Sequence, residues 1–241
     1  MNKRVLVTGS SRGIGKSIAI TLLKSGFDVV FHGRTQSDSL LGAAEEMKGF
    51  GYNVRALFFD VVDRALSREI LEAEVKERGA FYGVVLSAGI HRDMPFPGML
   101  DEAWDDVLKV DLFGFYNVLR PLVMPMIQLR SGGRIVCISS LSGIVGNRGQ
   151  VNYSAAKAGL IGASRALSRE LAKRKITVNC VAPGGVETEM IDDNLREQML
   201  KAIPMGRLAR PEEIAASVSY LFSEEAEYMT GQTLVLSGGL F

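Results

Sequence analysis

Apolar runs with little polar alternation recur along this 241-residue chain, separated by segments whose apolar positions repeat every three to four residues. Such runs, rich in Val, Ile, Leu or Phe, predict strands buried on both faces, and the three-to-four spacing predicts helices. The predicted strands are 3–8, 28–32, 54–59, 82–87, 133–139, 176–182 and 233–236, and the predicted helices are 13–25, 38–50, 64–79, 101–127, 152–174 and 211–223. Their strict alternation predicts an α/β fold with a doubly wound parallel sheet and right-handed crossovers.

Composition and charge narrow the class of protein. No linker, repeat or low-complexity stretch divides the chain, so a single domain, 1–241, is expected. The formal net charge is +1 without a basic block, which argues against a nucleic-acid partner. The opening MNKRVLVTGS does not resemble a signal peptide, and no apolar stretch is long enough to predict a membrane span. Cys137 and Cys180 lack metal-ligand spacing, so we expect buried, reduced thiols, no metal site and a cytoplasmic protein.

A glycine-rich turn, GSSRGIG at 9–15, follows the first predicted strand and opens the first predicted helix. This order of strand, turn and helix is typical of a dinucleotide-binding turn, although the glycine spacing departs from the usual G-x-G-x-x-G. Gly9 permits the tight turn, Gly13 lets the backbone approach a pyrophosphate, and Gly15 lets helix and strand pack closely. The helix N-terminus favours bound phosphates. The alternative is a purely structural turn.

The segment after the second predicted strand indicates which dinucleotide the site prefers. A site for NAD calls for an acidic residue about 20 residues past the turn, where it binds the ribose 2′-hydroxyl. This stretch reads FHGRT and contains no carboxylate, whereas Arg34 lies there and Arg12 lies in the turn itself. Guanidinium groups suit a 2′-phosphate, so the pair favours NADPH over NADH. The alternative for each arginine is a solvated surface charge.

The remaining landmarks each follow a predicted strand, where ligands sit in sheets of this kind. They are Asp60 after the third strand, Ala88-Gly89 after the fourth, Ser140 after the fifth and Pro183-Gly184 after the sixth. Their recurrence at one edge of the sheet predicts a single ligand site there.

Ser140, Tyr153 and Lys157 are the candidate chemical groups of that site. A free tyrosine titrates near ~10, too high for easy proton exchange at neutral pH. Lys157 follows Tyr153 by one helical turn on the same face, and an ammonium there favours the phenolate and lowers the tyrosine pKa. Such a tyrosine, beside a hydroxyl, can give a proton to a carbonyl oxygen or take one from an alcohol. By itself the Tyr/Lys spacing is equally typical of an ordinary helix start.

With these motifs in place, the whole chain resembles the short-chain dehydrogenase/reductase family. The resemblance rests on the segments TGSSRGIG, Asp60-Val61, SAG, YSAAK, PGGVET, RLARPEEIA and MTGQTLVLSGG. The runs GNRGQVNYSAAKAGLIG and ITVNCVAPGGVETEM are similar to the group that reduces 3-oxoacyl chains on acyl carrier protein. The resemblance implies a single Rossmann-type domain with a seven-stranded sheet and NADPH-dependent reduction of a 3-oxoacyl thioester.

The resemblance also implies roles by position. Tyr153 is the general acid, Lys157 lowers its pKa and holds the nicotinamide ribose, and Ser140, rather than Ser139, orients the substrate carbonyl. The segment at about 184–210 forms a lid over the substrate. Motifs and resemblance together give the expected cofactor-binding residues Gly9, Ser11, Arg12, Gly13, Ile14, Gly15, Arg34, Asp60, Val61, Ala88, Gly89, Tyr153, Lys157, Pro183, Gly184, Val186 and Thr188.

Two departures from the family pattern stand out. The N-N-A-G usual after the fourth strand reads Leu86-Ser87-Ala88-Gly89, which loses side-chain hydrogen bonds, one of which Ser87 could replace. Asp111 stands where the fourth catalytic residue is usually an asparagine that holds a water feeding protons to the lysine. An ionised Asp111 would pair with Lys157 and weaken its effect on the tyrosine, so we expect a competent but slower enzyme.

The expected partners also follow from the resemblance. Subunits commonly form tetramers through helices matching 101–127 and 152–174 and through the C-terminal segment. The carrier protein is acidic, and Arg130 and Arg174 lie at or beside positions where related reductases place docking arginines; a solvated charged surface is the alternative. His91, at the expected pocket mouth, is interpreted as a local hydrogen-bonding residue.

Two other functions stay open at this point. The fold hosts many reactions, so the chain could act on a free small ketone or alcohol. A non-catalytic protein that senses a dinucleotide would also keep the cofactor pocket.

Overall fold

The structure, a computed structural model, describes residues 3–188 and 193–241. Its centre is a parallel sheet of seven strands in the order β3-β2-β1-β4-β5-β6-β7. The strands are β1 Arg4–Val7, β2 Asp28–Gly33, β3 Val54–Phe58, β4 Gly83–Leu86, β5 Gly133–Ile138, β6 Ile176–Pro183 and β7 Thr233–Leu236. The doubly wound parallel sheet and the single α/β domain predicted from the sequence are therefore confirmed.

Helices connect consecutive strands along both faces of this sheet. They are α1 Gly13–Lys24, α2 Asp38–Gly49, α3 Arg64–Arg78, α4 Asp101–Leu108, α5 Gly114–Leu129, α6 Ser142–Val145, α7 Val151–Leu171, α8 Asp193–Ala202 and α9 Pro211–Phe222. A π-helical segment, Lys109–Phe113, joins α4 to α5, and short 3₁₀ turns lie at Phe96–Gly98 and Ala172–Arg174.

Two apolar cores, one on each face of the sheet, explain why the strands lack polar alternation. In β1, Val5 belongs to the core under α1, α2 and α9, and its neighbour Leu6 belongs to the core under α3, α5 and α7. Both side chains are fully buried, so each contributes roughly 1.5–3 kcal/mol through apolar burial. This double burial holds the carboxyl ends of the strands in fixed positions.

The predicted helix 101–127 differs most from the structure. It is divided into α4, the π-helical segment and α5, and the segment contains Asp111. A π-helical turn holds more residues than an α-helical turn, so the residues on either side present different faces to the core. Pro121 and Pro125 lie inside α5, and the helix continues past both to Leu129. Helices α6 and α8 were not predicted.

The order of the strands shows at which edge of the sheet a ligand would bind. Strand order reverses between β1 and β4, and the loops that follow β1, β4, β5 and β6 all leave from the carboxyl ends of the strands. Such a reversal opens a crevice at that edge, where ligands bind in sheets of this type.

The cysteines, distant in sequence, are register partners across β5 and β6. Cys137 and Cys180 are both free and fully buried. Within residues 3–188 and 193–241, no group of three potential ligand side chains could hold a metal ion. In the same part of the chain, no helix has the length and apolar character needed to cross a membrane.

Candidate active site

The glycine-rich turn after β1 is shaped by contacts that exclude side chains. Gly9 has φ +64°, and a Cβ there would lie 2.7 Å from the Cα of Ala88. A Cβ on Gly15 would lie 2.2 Å from the carbonyl oxygen of Gly9. The turn therefore packs backbone against backbone, and no side chain caps the N-terminus of α1 at Arg12. This leaves a cradle suited to a pyrophosphate.

A buried histidine that sequence reasoning missed anchors this turn. The N–H of Gly9 donates to Nδ1 of His32, 3.2 Å away, and the other ring nitrogen, Nε2, lies 2.9 Å from the carbonyl oxygen of Phe59. Burial lowers the pKa of His32 to about 4, although the hydrogen bond to Phe59 opposes this. The imidazole is therefore neutral at neutral pH, with Nε2 as its donor. The only signal in the sequence is a polar ring within the apolar run DVVFHG.

Thr8, the last residue before the turn, braces the loop after β4. Its Oγ1 accepts hydrogen bonds from the backbone N–H of Ser87, at 3.0 Å, and of Ala88, at 3.1 Å. Leu86, which replaces an expected asparagine, is buried in the core. Thr8 therefore supports the Ala88-Gly89 backbone where the family pattern would use side-chain amides.

The loop after β3 is held by a buried asparagine. The Nδ2 of Asn117 donates to the carbonyl oxygen of Val61, at 2.8 Å, and its Oδ1 accepts from Nε of Arg64, at 3.0 Å. Asp60 accepts at Oδ1 from the N–H of Val62, 3.0 Å away. These bonds fix Asp60 and Val61, two of the expected cofactor-binding residues, at the ligand edge. Asn117 lies on α5, a helix whose contact with this loop the sequence pattern did not indicate.

Arg12 and Arg34 lie on the same part of the ligand edge. Arg12 precedes α1, and Arg34 follows β2, the neighbour of β1 in the sheet. Both side chains are exposed. Both arginines thus follow the carboxyl ends of neighbouring strands.

The first turn of α7 carries Tyr153, and Lys157 follows one turn later. Nζ of Lys157 lies 5.3 Å from the centre of the Tyr153 ring. Ser139 is buried, and its hydroxyl donates to the carbonyl oxygen of Lys157, at 2.9 Å. Ser140 accepts at Oγ from the N–H of Ser142, 3.1 Å away, which leaves its hydroxyl hydrogen for a ligand. The geometry favours Ser140 over Ser139 as the substrate-facing hydroxyl.

Lys157 is paired with Asp111 inside the protein. Its Nζ lies 3.0 Å from Oδ2 of Asp111 and donates to the carbonyl oxygen of Ile138, at 3.1 Å. The other carboxylate oxygen, Oδ1, accepts from the N–H of Ile90, at 2.8 Å. Burial lowers the pKa of Lys157, but the charge of Asp111 and its hydrogen bond oppose burial, and the pKa is raised to about 12. Lys157 is therefore an ammonium at neutral pH.

Gly89 makes room for this pair. A Cβ on Gly89 would lie 2.9 Å from Oδ2 of Asp111 and 3.2 Å from Nζ of Lys157. Its backbone thus covers the ion pair directly. Gly89 was expected only to contact the cofactor, and nothing in the sequence pattern indicates this second reason for a glycine.

The segment that follows β6 is anchored at two points along the ligand edge of the sheet. The carbonyl oxygen of Pro183 accepts from the N–H of Leu141, at 2.8 Å, which ties this segment to the loop that carries Ser140. Thr188 lies beside the glycine-rich turn, since a Cβ on Gly13 would meet its Cγ2 at 3.6 Å. Gly184 and Val186 lie between these two anchors. The expected lid at 184–210 includes residues 189–192, which lie outside the described residues.

The expected docking arginines lie at the opposite edge of the sheet. Arg130 follows α5 just before β5 begins, and Arg174 ends the turn just before β6 begins. Ser140 follows the other end of β5. Within one protomer, the sheet therefore separates both arginines from the tyrosine.

This fold and this site define a Rossmann-type oxidoreductase domain. A glycine cradle for a dinucleotide and a tyrosine–lysine pair share one edge of the sheet. A family model described as Enoyl-(Acyl carrier protein) reductase matches residues 9–241.

Three reductases are similar to the chain over nearly its whole length. A 3-oxoacyl-[acyl-carrier-protein] reductase FabG of Aggregatibacter actinomycetemcomitans is 54% identical over 241 residues, which is 100% of both chains. The reductase of the same name from Staphylococcus aureus is 40% identical, covering 100% of this chain and 99% of the relative. That from Salmonella typhimurium is 42% identical, covering 99% and 97%. The chain belongs to the short-chain dehydrogenase/reductase family, which implies a nicotinamide dinucleotide cofactor.

Proposed function

We propose that this chain is an NADPH-dependent reductase of 3-oxoacyl groups carried on acyl carrier protein, acting in fatty-acid or related acyl-chain synthesis. The observation that carries the proposal is the position of Tyr153 and Lys157 one turn apart on α7, with Lys157 hydrogen-bonded to Ser139, the neighbour of Ser140, and covered by the backbone of Gly89 at the ligand edge. The full-length similarity to three reductases named for this reaction supports the substrate.

The residues present fit the cofactor. The glycine-rich turn leaves no room for a Cβ at Gly9 or Gly15, so only backbone lines it there, and it lies at the N-terminus of α1. Arg12 and Arg34, with no carboxylate in the segment after β2, favour the 2′-phosphate of NADPH. When bound, the nicotinamide supplies the hydride.

Tyr153 donates the proton that the reduced carbonyl oxygen needs. Ser140 donates a hydrogen bond to the same oxygen, which positions the carbonyl and stabilises the charge that develops on it. The ammonium of Lys157 favours the phenolate that Tyr153 becomes, and so lowers the barrier to the proton transfer. Return of a proton to Tyr153 completes the cycle for this side chain.

Asp111 weakens the effect of Lys157 on this proton transfer. Its carboxylate shares the ammonium of Lys157 at 3.0 Å, so the full positive charge does not act on the tyrosine. The same pairing holds Lys157 in place and keeps it charged in a buried position. The account gives a reductase whose tyrosine is less strongly activated than that of a relative with a neutral residue at this position.

In a homotetramer, the expected docking arginines of one subunit would lie near the pocket of another. Exposed apolar side chains follow one face of the region from the π-helical segment through α5, and they include Phe113, Tyr116 and Met124. Such a face favours association with another copy. Arg130 and Arg174 would then reach the pocket mouth of a neighbouring subunit and bind an acidic carrier protein there. Two buried free thiols agree with a reducing, cytoplasmic setting.

A substrate panel tests the proposal. NADPH absorbance is followed with an acetoacetyl thioester on carrier protein, the same acyl group on a small thiol, a free monoketone and a crotonyl thioester. The proposal predicts fastest turnover of the carrier-linked acetoacetyl substrate. Preference for the crotonyl thioester would assign the activity named by the family model, and preference for the monoketone would assign a small-ketone reductase. NADPH binding without turnover of any substrate would assign a dinucleotide sensor.

A further inference from the structure

A chain of polar contacts runs from the loop after β4 to the catalytic serine. Nδ1 of His91 lies 3.4 Å from Oδ1 of Asp93, and Oδ2 of Asp93 accepts from Nε2 of Gln150, at 2.7 Å. Oε1 of Gln150 accepts from the hydroxyl of Ser142, at 2.8 Å, and the N–H of Ser142 donates to Oγ of Ser140, at 3.1 Å. The histidine is thereby connected to a residue that holds the substrate carbonyl.

His91 also lies close along the chain to residues of the site. It follows Gly89 by two residues, so its Cα lies within about 7.6 Å of the Cα of that glycine, whose backbone covers Asp111 and Lys157. Gln150 directly precedes α7, and Tyr153 lies in the first turn of that helix. About two-fifths of the His91 side chain is exposed, so the ring is open to a ligand from solvent.

Charges around His91 favour its protonated form. The contact with Asp93 raises the pKa of His91 against the effect of partial burial, with Asp111 adding to the increase and Arg92 opposing it. Because Nδ1 faces Asp93, the nitrogen left for a ligand is Nε2. Within the part of the chain that the structure describes, the ring contact recorded for His91 is that of Nδ1 with Asp93. The protonated ring therefore offers one N–H donor beside the site.

We propose that His91 is a substrate-binding residue whose Nε2–H donates a hydrogen bond to the thioester carbonyl oxygen of the 3-oxoacyl substrate. This inference rests on the proposed function. A 3-oxoacyl thioester has two carbonyl groups separated by one methylene, so its second oxygen lies close to the one that Ser140 and Tyr153 hold. A site that hydrogen-bonds a substrate group discriminates strongly against analogues that lack the group. His91 would thus select a 1,3-dicarbonyl over a simple ketone.

The test compares two substrates that differ only in this carbonyl. One is an acetoacetyl thioester of a small thiol, and the other is the 3-oxobutyl thioether of the same thiol. In the parent enzyme, we expect higher kcat/KM for the thioester at low pH, and the ratio of the two values should fall as the pH rises through the pKa of His91. His91→Phe should lower kcat/KM for the thioester roughly tenfold or more and change that for the thioether less than about twofold.

Two matched variants separate binding from folding. His91→Gln keeps an N–H donor without a charge, so it should recover part of the thioester preference and remove its pH dependence. Asp93→Asn should move the pH dependence to lower pH, because the carboxylate that favours imidazolium is gone. Melting temperature and NADPH affinity close to those of the parent would show that the variants are folded.

The outcomes distinguish the two proposals. If the parent reduces the thioester but His91→Phe affects both substrates equally, or neither, the role of His91 is overturned and the proposed function stands. If the parent turns over the acetoacetyl group neither on the small thiol nor on carrier protein, the proposed function fails and the role of His91 fails with it.

Discussion

Lys157 and Asp111 form a buried ion pair, with Nζ and Oδ2 3.0 Å apart, directly below the backbone of Gly89. Burying two charges costs free energy that their attraction and additional hydrogen bonds must offset. Here Lys157 also donates to Ile138, and Asp111 also accepts from Ile90. The pair therefore links α7, β5, the loop after β4 and the π-helical segment at one point.

Asp111→Asn should speed the reaction. The amide keeps an oxygen for the N–H of Ile90 but removes the charge that Lys157 shares, so the ammonium acts fully on Tyr153. Turnover should rise by roughly two- to tenfold. In the direction of alcohol oxidation, where phenolate is required, the acid limb of the pH–rate profile should move about one pH unit lower. Steady-state kinetics across pH measure both effects, and an unchanged rate and profile would mean that the charge of Asp111 is irrelevant.

Gly89→Ala should damage both stability and activity. The added Cβ would press on Oδ2 of Asp111 and Nζ of Lys157, which are held by other bonds and cannot move freely. We expect a loss of roughly 1–3 kcal/mol in the free energy of unfolding and reduced turnover. Gly42→Ala is the control: it lies in α2, and beyond the adjoining backbone of that helix nothing lies within 4 Å of the added Cβ, so it should be neutral or slightly stabilising. Equal behaviour of the two variants in denaturant titrations would contradict the account.

Arg34→Ala should alter cofactor preference. The guanidinium is expected to bind the 2′-phosphate that only NADPH carries, so KM for NADPH should rise roughly tenfold while KM for NADH changes little. Arg78→Ala removes an arginine at the far end of α3 and serves as the control. If Arg34→Ala weakens both cofactors to the same degree, or if the parent prefers NADH, the assignment of NADPH is wrong.

His32 should make the protein sensitive to acid. Its pKa is lowered from an ordinary value of 6.5 to about 4, so between these pH values the unfolded chain binds a proton that the folded chain does not. The free energy of unfolding should fall as the pH decreases through this window, by about 3 kcal/mol at most. Denaturant titrations from pH 7 to 4 measure this slope in the parent and in His32→Gln. A slope as steep in the variant would contradict a neutral, buried His32.

The sequence predicted the sheet because apolar runs and helical spacing depend on local burial, which one-dimensional patterns report well. It also predicted where the glycine-rich turn and Ser140 lie, since these follow the ends of β1 and β5. The π-helical segment was missed because periodicity does not reveal one wider turn within a long helical pattern. His32 and Asn117 were missed for another reason: their partners, Gly9 and Val61, come from distant segments that only the strand order brings together.

The central claim is that Tyr153 donates the proton during carbonyl reduction. The most direct measurement is NADPH-dependent turnover of an acetoacetyl thioester by Tyr153→Phe, with NADPH affinity measured on the same sample. Loss of the hydroxyl removes the acid and leaves the ring in place, so turnover should fall by roughly 10²–10⁴-fold while NADPH affinity stays within about twofold of the parent value. Turnover close to that of the parent enzyme would contradict the mechanism.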